Sequence, residues 1–243
     1  PFPRLSIKEK PEIVNLSTAT GMNTSSGAKH ISPDEVNNLV DTYGDDVVFF
    51  DMRNAIEYEV GHFRNAVKVP TDHFREFPRL IDSFAHLKDK KVVMYCTGGV
   101  RCEKASPLLK QAGFSEVYQI DGGIYNYCTQ YPGKLWEGNV YVFDDRLQVQ
   151  FKEGGVVDEQ IASEKVISHC AFCGVRSARI VNDERTSERK QMVCCIDCDK
   201  EHDISRIRQV TERVKKLDRV LIGRGRNYYA KVGVAEAEIL DGT

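Results

Sequence analysis

Short apolar runs alternate with helical patterns along the middle of the chain. Runs rich in β-branched and aromatic residues predict buried strands at 47–50, 66–69, 91–95 and 117–120. Apolar residues at helical spacing predict helices near 55–60, 72–87 and 103–112. Strands that alternate with helices over about 100 residues indicate an α/β domain of three layers with a mainly parallel central sheet.

The first helix of this region carries its own start and stop signals. Ser32 and Glu35 have the spacing of a capping box, and Pro33 occupies the first helical position. Gly44 is placed to end the helix. These signals predict that the α/β domain begins near residue 31, and the turn residues around 131–133 predict where it ends.

The flanking segments have different patterns. An apolar–basic alternation predicts one strand at 5–14, and the polar stretch 15–29 is predicted to be a linker. The pattern of residues 140–149 predicts a hairpin that turns at Asp144-Asp145. Helical spacing recurs at 204–217, and 219–235 resembles the start of a small β-barrel. We therefore divide the chain into 1–30 (strand and linker), 31–132 (α/β domain), 133–165 (hairpin connector), 166–202 (cysteine-rich module) and 203–243 (basic helix and β segment).

Composition narrows the functional classes. The 243 residues include 34 basic and 36 acidic side chains, so bulk charge favours no polyanionic partner. No apolar run approaches the ~18 residues of a membrane span and no leader pattern opens the chain, which predicts a cytoplasmic protein that does not bind membranes. Residues 199–231 nevertheless hold ten Lys or Arg and five Asp or Glu. This basic segment is either a solvated helix face or an RNA phosphate contact, through Arg206, Arg208, Arg213, Lys215, Lys216, Arg219, Arg224 and Arg226.

Five of the eight cysteines crowd into residues 170–198. Cys170 and Cys173, then Cys195 and Cys198, form two C-x-x-C pairs at a spacing near that of zinc ribbons. We predict a structural Zn²⁺ held by these four thiolates and no organic cofactor. Two alternatives stay open: Cys194 replaces Cys195 as a ligand, or the thiols are reduced and free of metal. His169 and His202 are less well spaced candidates.

The most informative segment is the loop that follows the predicted strand 91–95. Cys96 ends that strand, and the loop residues Thr97, Gly98, Gly99 and Val100 lead into a helix that begins with Arg101 and Cys102. Loop N–H groups, the helix dipole and the Arg101 charge favour a thiolate at Cys96. The two glycines are expected to let the loop curl around the sulfur without Cβ clashes. The alternative is a buried, inert cysteine in a glycine turn.

These residues resemble a known family. Cys96-x-x-Gly99-x-Arg101, with Asp51-Met52-Arg53 and the run 61–66, is similar to the rhodanese domain over residues 31–132. A dual-specificity phosphatase loop has five residues between cysteine and arginine, whereas this loop has four, which fits a smaller ring around the sulfur. The segments 94–106, 121–124, 143–146 and 167–170 are similar to the rhodanese-like tRNA uridine hydroxylases.

The resemblance implies roles for particular residues. Cys96 would be the nucleophile, and Arg101 with the N–H groups of Thr97 to Val100 would hold its anionic state. Asp51 and Arg53 are expected to form a structural ion pair and His62 to lock a helix or loop. Cys102 is either a second, resolving thiol or a small buried side chain, and Cys128 is expected to serve packing. The resemblance also implies a ferredoxin-like domain ahead of this region, with 5–14 as its last strand.

Three functions follow from this sequence. The first is oxygen-dependent hydroxylation of the tRNA wobble uridine to 5-hydroxyuridine, with tRNA as partner. The second is sulfur transfer, in which Cys96 carries a persulfide taken from a small sulfur donor. The third is a non-enzymatic, zinc-bearing adaptor on a rhodanese scaffold, which the presence of both Cys96 and Arg101 disfavours.

Overall fold

The central sheet has five parallel strands. A computed structural model describes residues 9, 14–16, 27–144, 146–157 and 165–205. The strands are β1 (Lys29–Ile31), β2 (Val47–Asp51), β4 (Val67–Lys68), β5 (Lys91–Tyr95) and β6 (Glu116–Ile120), and their spatial order is β1-β6-β5-β2-β4. The four predicted strands are therefore confirmed, and β1 adds a strand at the end of the predicted linker.

Helices cover both faces of this sheet. They are α1 (Pro33–Tyr43), α2 (Ala55–Val60), α3 (Val100–Gln111) and α4 (Gly123–Gln130). The capping box of α1 forms as predicted: the Ser32 side chain accepts from the Glu35 N–H, and the Glu35 carboxylate accepts from the Ser32 N–H. The three-layer α/β architecture is confirmed.

Alternate residues of each central strand enter two separate cores. In β5, Val92 and Met94 join one apolar cluster with Leu109 of α3, whereas Val93 and Tyr95 join another on the opposite face. A strand that is buried on both faces has an unbroken run of apolar residues, which is why the sequence predicted β5.

The segment 72–87 is not the α-helix that its spacing predicts. It forms two 3-10 segments, Phe74–Arg79 and Ile81–Leu87, which meet at Leu80. Pro78, inside the first segment, lacks a backbone N–H and cannot donate to an α-helical hydrogen-bond ladder. The two 3-10 segments are separated by Leu80. Phe77 and Phe84 still reach the first core, where each packs edge-on against Phe50.

The predicted hairpin after the α/β domain is present and packs onto it. The strands β8 (Val140–Tyr141) and β9 (Gln148–Lys152) pair antiparallel, and β10 (Gly155–Val157) extends them to a three-stranded sheet. Just before it, β7 (Trp136–Gly138) pairs with β3 (Gly61–Phe63). These contacts place residues 136–144 and 146–152 beside the carboxyl edge of the central sheet.

The cysteine-rich module is small. It contains the antiparallel pair β11 (Ile180–Asn182) and β12 (Gln191–Val193), followed by α5 (Ile196–His202). None of the helices in the described ranges is long and apolar enough to cross a bilayer. The predicted strand 5–14 except residues 9 and 14, most of the linker and the basic segment from Arg206 onward lie outside the described residues.

Candidate active site and metal centre

Cys96 lies at the carboxyl edge of the central sheet, directly after β5. The chain then turns through residues 97–99 and enters α3 at Val100. The Cys96 side chain is buried, with 2% of its surface exposed. The sulfur therefore lies at the amino end of a twelve-residue helix, where the helix dipole favours a negative charge.

Several donors stabilise the thiolate form of Cys96. The pKa of Cys96 falls to about 6. The largest cause is a hydrogen bond from the Cys102 thiol, and the positive charge of Arg101 and the backbone N–H groups of Arg101 and Cys102 lower the pKa further. Together these effects outweigh burial, which alone would raise the pKa. The Gly99 N–H also donates to Sγ over 3.1 Å. Of the four loop residues expected to hold the anion, Gly99 is the one whose N–H donates to the sulfur. The other groups that stabilise the thiolate belong to the first turn of α3.

Cys102 is fully buried and hydrogen-bonds to Cys96, so it is both a packed side chain and a neighbouring thiol. Burial raises the pKa of Cys102 well above that of a free thiol, and its bond to Cys96 raises it further. Cys102 therefore remains a protonated donor at the pH where Cys96 is ionised.

This arrangement predicts the pH dependence of Cys96 alkylation. The wild-type rate with iodoacetamide should reach half its maximum near pH 6. Cys102→Ala removes the largest contribution to the lowered pKa and should shift the midpoint upward, because the thiolate loses a donor. Mass spectrometry of the Cys96 peptide across a pH series measures both values. Cys128→Ala is the matched control, and a wild-type midpoint near the ordinary thiol pKa of about 8.5 would contradict the prediction.

The glycines act differently from the sequence-based expectation. A Cβ on Gly98 or Gly99 would meet nothing within 4 Å, so the predicted relief of clashes in the loop is wrong. Gly99 is needed for its φ of +91°, which an L side chain rarely adopts and which turns its N–H toward the sulfur. Crowding occurs instead at Gly123, where a Cβ would lie 2.6 Å from the carbonyl oxygens of Cys96 and Thr97.

Arg101 is held by a carboxylate that the sequence analysis missed. Its two terminal nitrogens donate to the two oxygens of Glu57, each over 2.7 Å. Burial alone would raise the pKa of Glu57, but the hydrogen bonds and charge of Arg101 hold it below its usual range. The one signal for Glu57 in the sequence was its place three residues after Asn54, whose N–H donates to the Glu57 carboxylate.

Asp51 and Arg53 form the structural ion pair that was predicted. The Arg53 Nη2 lies 2.5 Å from Asp51 Oδ2, and both side chains are at most 1% exposed. The same nitrogen donates to the Gly61 carbonyl over 2.6 Å. His62 also has the predicted locking role, because its Nδ1 contacts the Tyr58 carbonyl over 2.8 Å and its ring stacks on Tyr58.

A pocket of about 610 Å³ opens above the sulfur. Its wall combines most of the loop 96–101 with residues from four other parts of the chain: 14–15, Asn54, 73–75 and Phe143. Asn54, His73, Arg75 and Phe143 come together only through tertiary contacts, so sequence patterns did not predict a role for them. Cys128 does not line this pocket: it is buried in the core on the opposite face of the sheet, which agrees with the packing role expected for it.

The second cysteine constellation is a candidate metal centre. The sulfurs of Cys170, Cys173, Cys195 and Cys198 all lie within 4.8 Å of one another, and Cys173 and Cys195 are 3.6 Å apart. Four thiolates at about 2.3 Å from a tetrahedral ion would be roughly 3.8 Å apart. The four side chains can therefore hold a metal ion with small adjustments.

Cys194 lies outside this cluster. Its side chain is buried, and its thiol donates to the Cys195 carbonyl over 3.4 Å. His202 stacks on Phe172, and His169 pairs with Arg176 through a β-bridge. Of the ligand sets left open by the sequence, the geometry favours the one that contains Cys195.

Matches to protein-family models agree with this architecture. Residues 32–130 match the family model "Rhodanese-like domain", and residues 137–209 match "Rhodanase C-terminal". A solved structure of the rhodanese-like domain of an Anabaena protein is 20% identical, with a TM-score of 0.38 over 55% of this chain and 91% of that one.

Curated relatives extend the match beyond the rhodanese domain. The tRNA uridine(34) hydroxylase of Rhodococcus jostii is 43% identical over 205 residues, which are 81% of this chain and 69% of that protein. The Corynebacterium urealyticum protein of the same name is also 43% identical, over 81% of this chain and 66% of its own length. This chain belongs to the family of the tRNA uridine(34) hydroxylases.

Proposed function

We propose that this chain hydroxylates uridine 34 of tRNA at C5 of the base, with Cys96 as the catalytic nucleophile. The observation that carries this proposal is the low-pKa thiol of Cys96 at the base of a pocket about 610 Å³ in volume. Membership of a family whose relatives are named tRNA uridine(34) hydroxylase supports the choice of substrate. A cytoplasmic location, where such a substrate is found, is part of the same proposal.

A thiolate can activate the uracil ring by adding to C6. The new C6–S bond moves an electron pair into the ring, and C5 becomes nucleophilic. Dioxygen then forms the C5–O bond; a thiol reductant supplies two electrons, and the second oxygen atom leaves as water. Loss of the C5 proton and expulsion of the Cys96 thiolate restore the C5–C6 double bond.

The residues around Cys96 suit both the first and the last of these steps. Its pKa of about 6 makes it ionised at neutral pH, so no separate base is needed for attack. The Gly99 N–H and the Arg101 charge also stabilise the thiolate as it leaves. Glu57 keeps Arg101 in place through its two hydrogen bonds.

The direct test uses purified protein and two tRNA transcripts that differ only at position 34. With dioxygen and a dithiol present, nucleoside mass spectrometry should find 5-hydroxyuridine in the transcript with uridine 34 and none in the transcript with cytidine 34. If neither transcript is hydroxylated and Cys96 instead passes a persulfide sulfur to an acceptor, sulfur transfer becomes the better account.

We further propose that the metal held by Cys170, Cys173, Cys195 and Cys198 is Zn²⁺ and that its role is structural. Four thiolates satisfy the tetrahedral shell of zinc and leave no open position for a substrate. The apolar cluster of this module is small, and three of its five buried members are cysteines: Cys170, Val181, Cys194, Cys198 and Ile204. Metal ligation would therefore provide much of the folding free energy of residues 166–205.

Removal of one ligand tests this assignment. Cys173→Ser should lose bound zinc and make the segment 166–205 sensitive to proteolysis, while the central sheet stays folded. Zinc content by elemental analysis and peptide mapping after limited proteolysis measure both effects. Cys194→Ala removes a neighbouring buried thiol outside the cluster and should keep the metal; loss of zinc in that variant alone would show that Cys194 is the ligand.

A further inference from the structure

One aromatic ring lines the Cys96 pocket without contributing to a core. The Phe143 side chain is 61% exposed, more than any other large apolar side chain in the described ranges. Its ring forms part of the pocket wall and is supported from one side by Tyr141, with ring centroids 5.2 Å apart and an interplanar angle of 74°. A supported ring that keeps most of its surface in solvent is suited to stacking on a planar ligand.

A guanidinium lies on the same pocket and differs from that of Arg101. Arg75 is an exposed side chain of the 3-10 segment Phe74–Arg79. Within the part of the chain that the structure describes, Arg75 has no ion pair or side-chain hydrogen bond, whereas Glu57 occupies Arg101 through two bonds of 2.7 Å. Arg75 is therefore free to bind an external anion beside the sulfur.

We propose that Phe143 stacks on the target base and that Arg75 binds a phosphate next to it, so that the two hold one unpaired nucleotide over Cys96. A base has planar, apolar faces that suit stacking on the Phe143 ring, and its phosphate is an anion that suits the Arg75 guanidinium. The inference rests on the proposed function and names the residues that position its substrate. Because Phe143 follows β8 and Arg75 precedes β5, the nucleotide would be held between two separate parts of the fold.

Equilibrium binding separates the two contributions. The probe is a tRNA anticodon stem–loop with uridine 34, titrated with the full chain at several salt concentrations. Phe143→Ala should weaken binding about tenfold or more with no change in salt dependence, because stacking involves no counterion release. Arg75→Ala should weaken binding and reduce the slope of log Kd against log salt by roughly 0.7, the value for one contact to a single strand.

Two matched variants control for nonspecific effects. Tyr43→Ala removes another exposed ring, which lies at the amino edge of the sheet beside Lys91. Arg79→Ala removes an exposed arginine of the same 3-10 segment that does not line the pocket. Phe143→Tyr keeps a stacking ring and should retain wild-type affinity.

The inference is overturned if wild type binds no stem–loop, if Phe143→Ala binds as tightly as Tyr43→Ala, or if Arg75→Ala keeps the salt slope of Arg79→Ala. Hydroxylation of the uridine-34 transcript, measured in parallel, separates this result from the proposed function. Normal binding and product formation by both pocket variants would overturn the inference alone. Weakened binding by both variants, with no product from wild type, would support the inference and overturn the proposed function.

Discussion

Cys96→Ser should reduce 5-hydroxyuridine formation below detection while the fold remains intact. Serine is close to cysteine in size, so the buried position next to Cys102 can accommodate it. Its hydroxyl, however, is not ionised near neutral pH, so the same donors that lower the pKa of Cys96 produce no nucleophile there. The measurement is the rate of product formation on a uridine-34 transcript, with thermal unfolding to confirm that the variant is folded.

Cys128→Ala is the control for loss of a buried thiol. Cys128 is 1% exposed and belongs to the core on the other face of the sheet, away from the loop. This variant should keep most of the activity, even if it unfolds at a lower temperature because of the cavity it leaves. Equal activity of Cys96→Ser and wild type would remove Cys96 from the mechanism.

Glu57→Ala should lower the free energy of unfolding by about 3–5 kcal/mol. Glu57 is 1% exposed and neutralises Arg101, whose side chain is 11% exposed. Removing the carboxylate leaves a mostly buried guanidinium without its partner, and it also removes the acceptor for the Asn54 N–H. Urea unfolding monitored by circular dichroism measures the change.

Glu59→Ala is the matched variant on the same helix. Glu59 pairs with Lys68 over 3.1 Å, but its side chain is 48% exposed, and exposed pairs contribute roughly 0–1 kcal/mol. A loss of stability at Glu57 no greater than that at Glu59 would contradict the view that the Glu57–Arg101 pair supports the active-site loop.

Features encoded within a few consecutive residues were predictable. The apolar run of β5, the capping box at Ser32 and the strand–loop–helix around Cys96 each depend on local preferences, and the structure contains all three. The paired C-x-x-C spacing likewise predicted which cysteines meet. In each case the chemistry and the backbone geometry are specified by neighbours in the sequence.

Features that depend on distant contacts were not predictable. Glu57 meets Arg101 across 44 residues of chain, and β3 meets β7 across more than 70. The two 3-10 segments in 72–87 were not predicted, because the apolar spacing there is also that of an α-helix and outweighed the missing N–H of Pro78. The role of Gly99 could be assigned only from its φ angle. The sequence alone does not show whether a glycine is required because a Cβ would clash or because the backbone has a positive φ.

The most direct test of the central claim is isotope labelling of the product. Wild type and Cys96→Ser are incubated with a uridine-34 transcript under ¹⁸O₂ in ordinary water, and the released nucleosides are analysed by mass spectrometry. The account predicts 5-hydroxyuridine that carries ¹⁸O from wild type and no product from Cys96→Ser. Product that carries oxygen from water, or labelled product from Cys96→Ser, would contradict it.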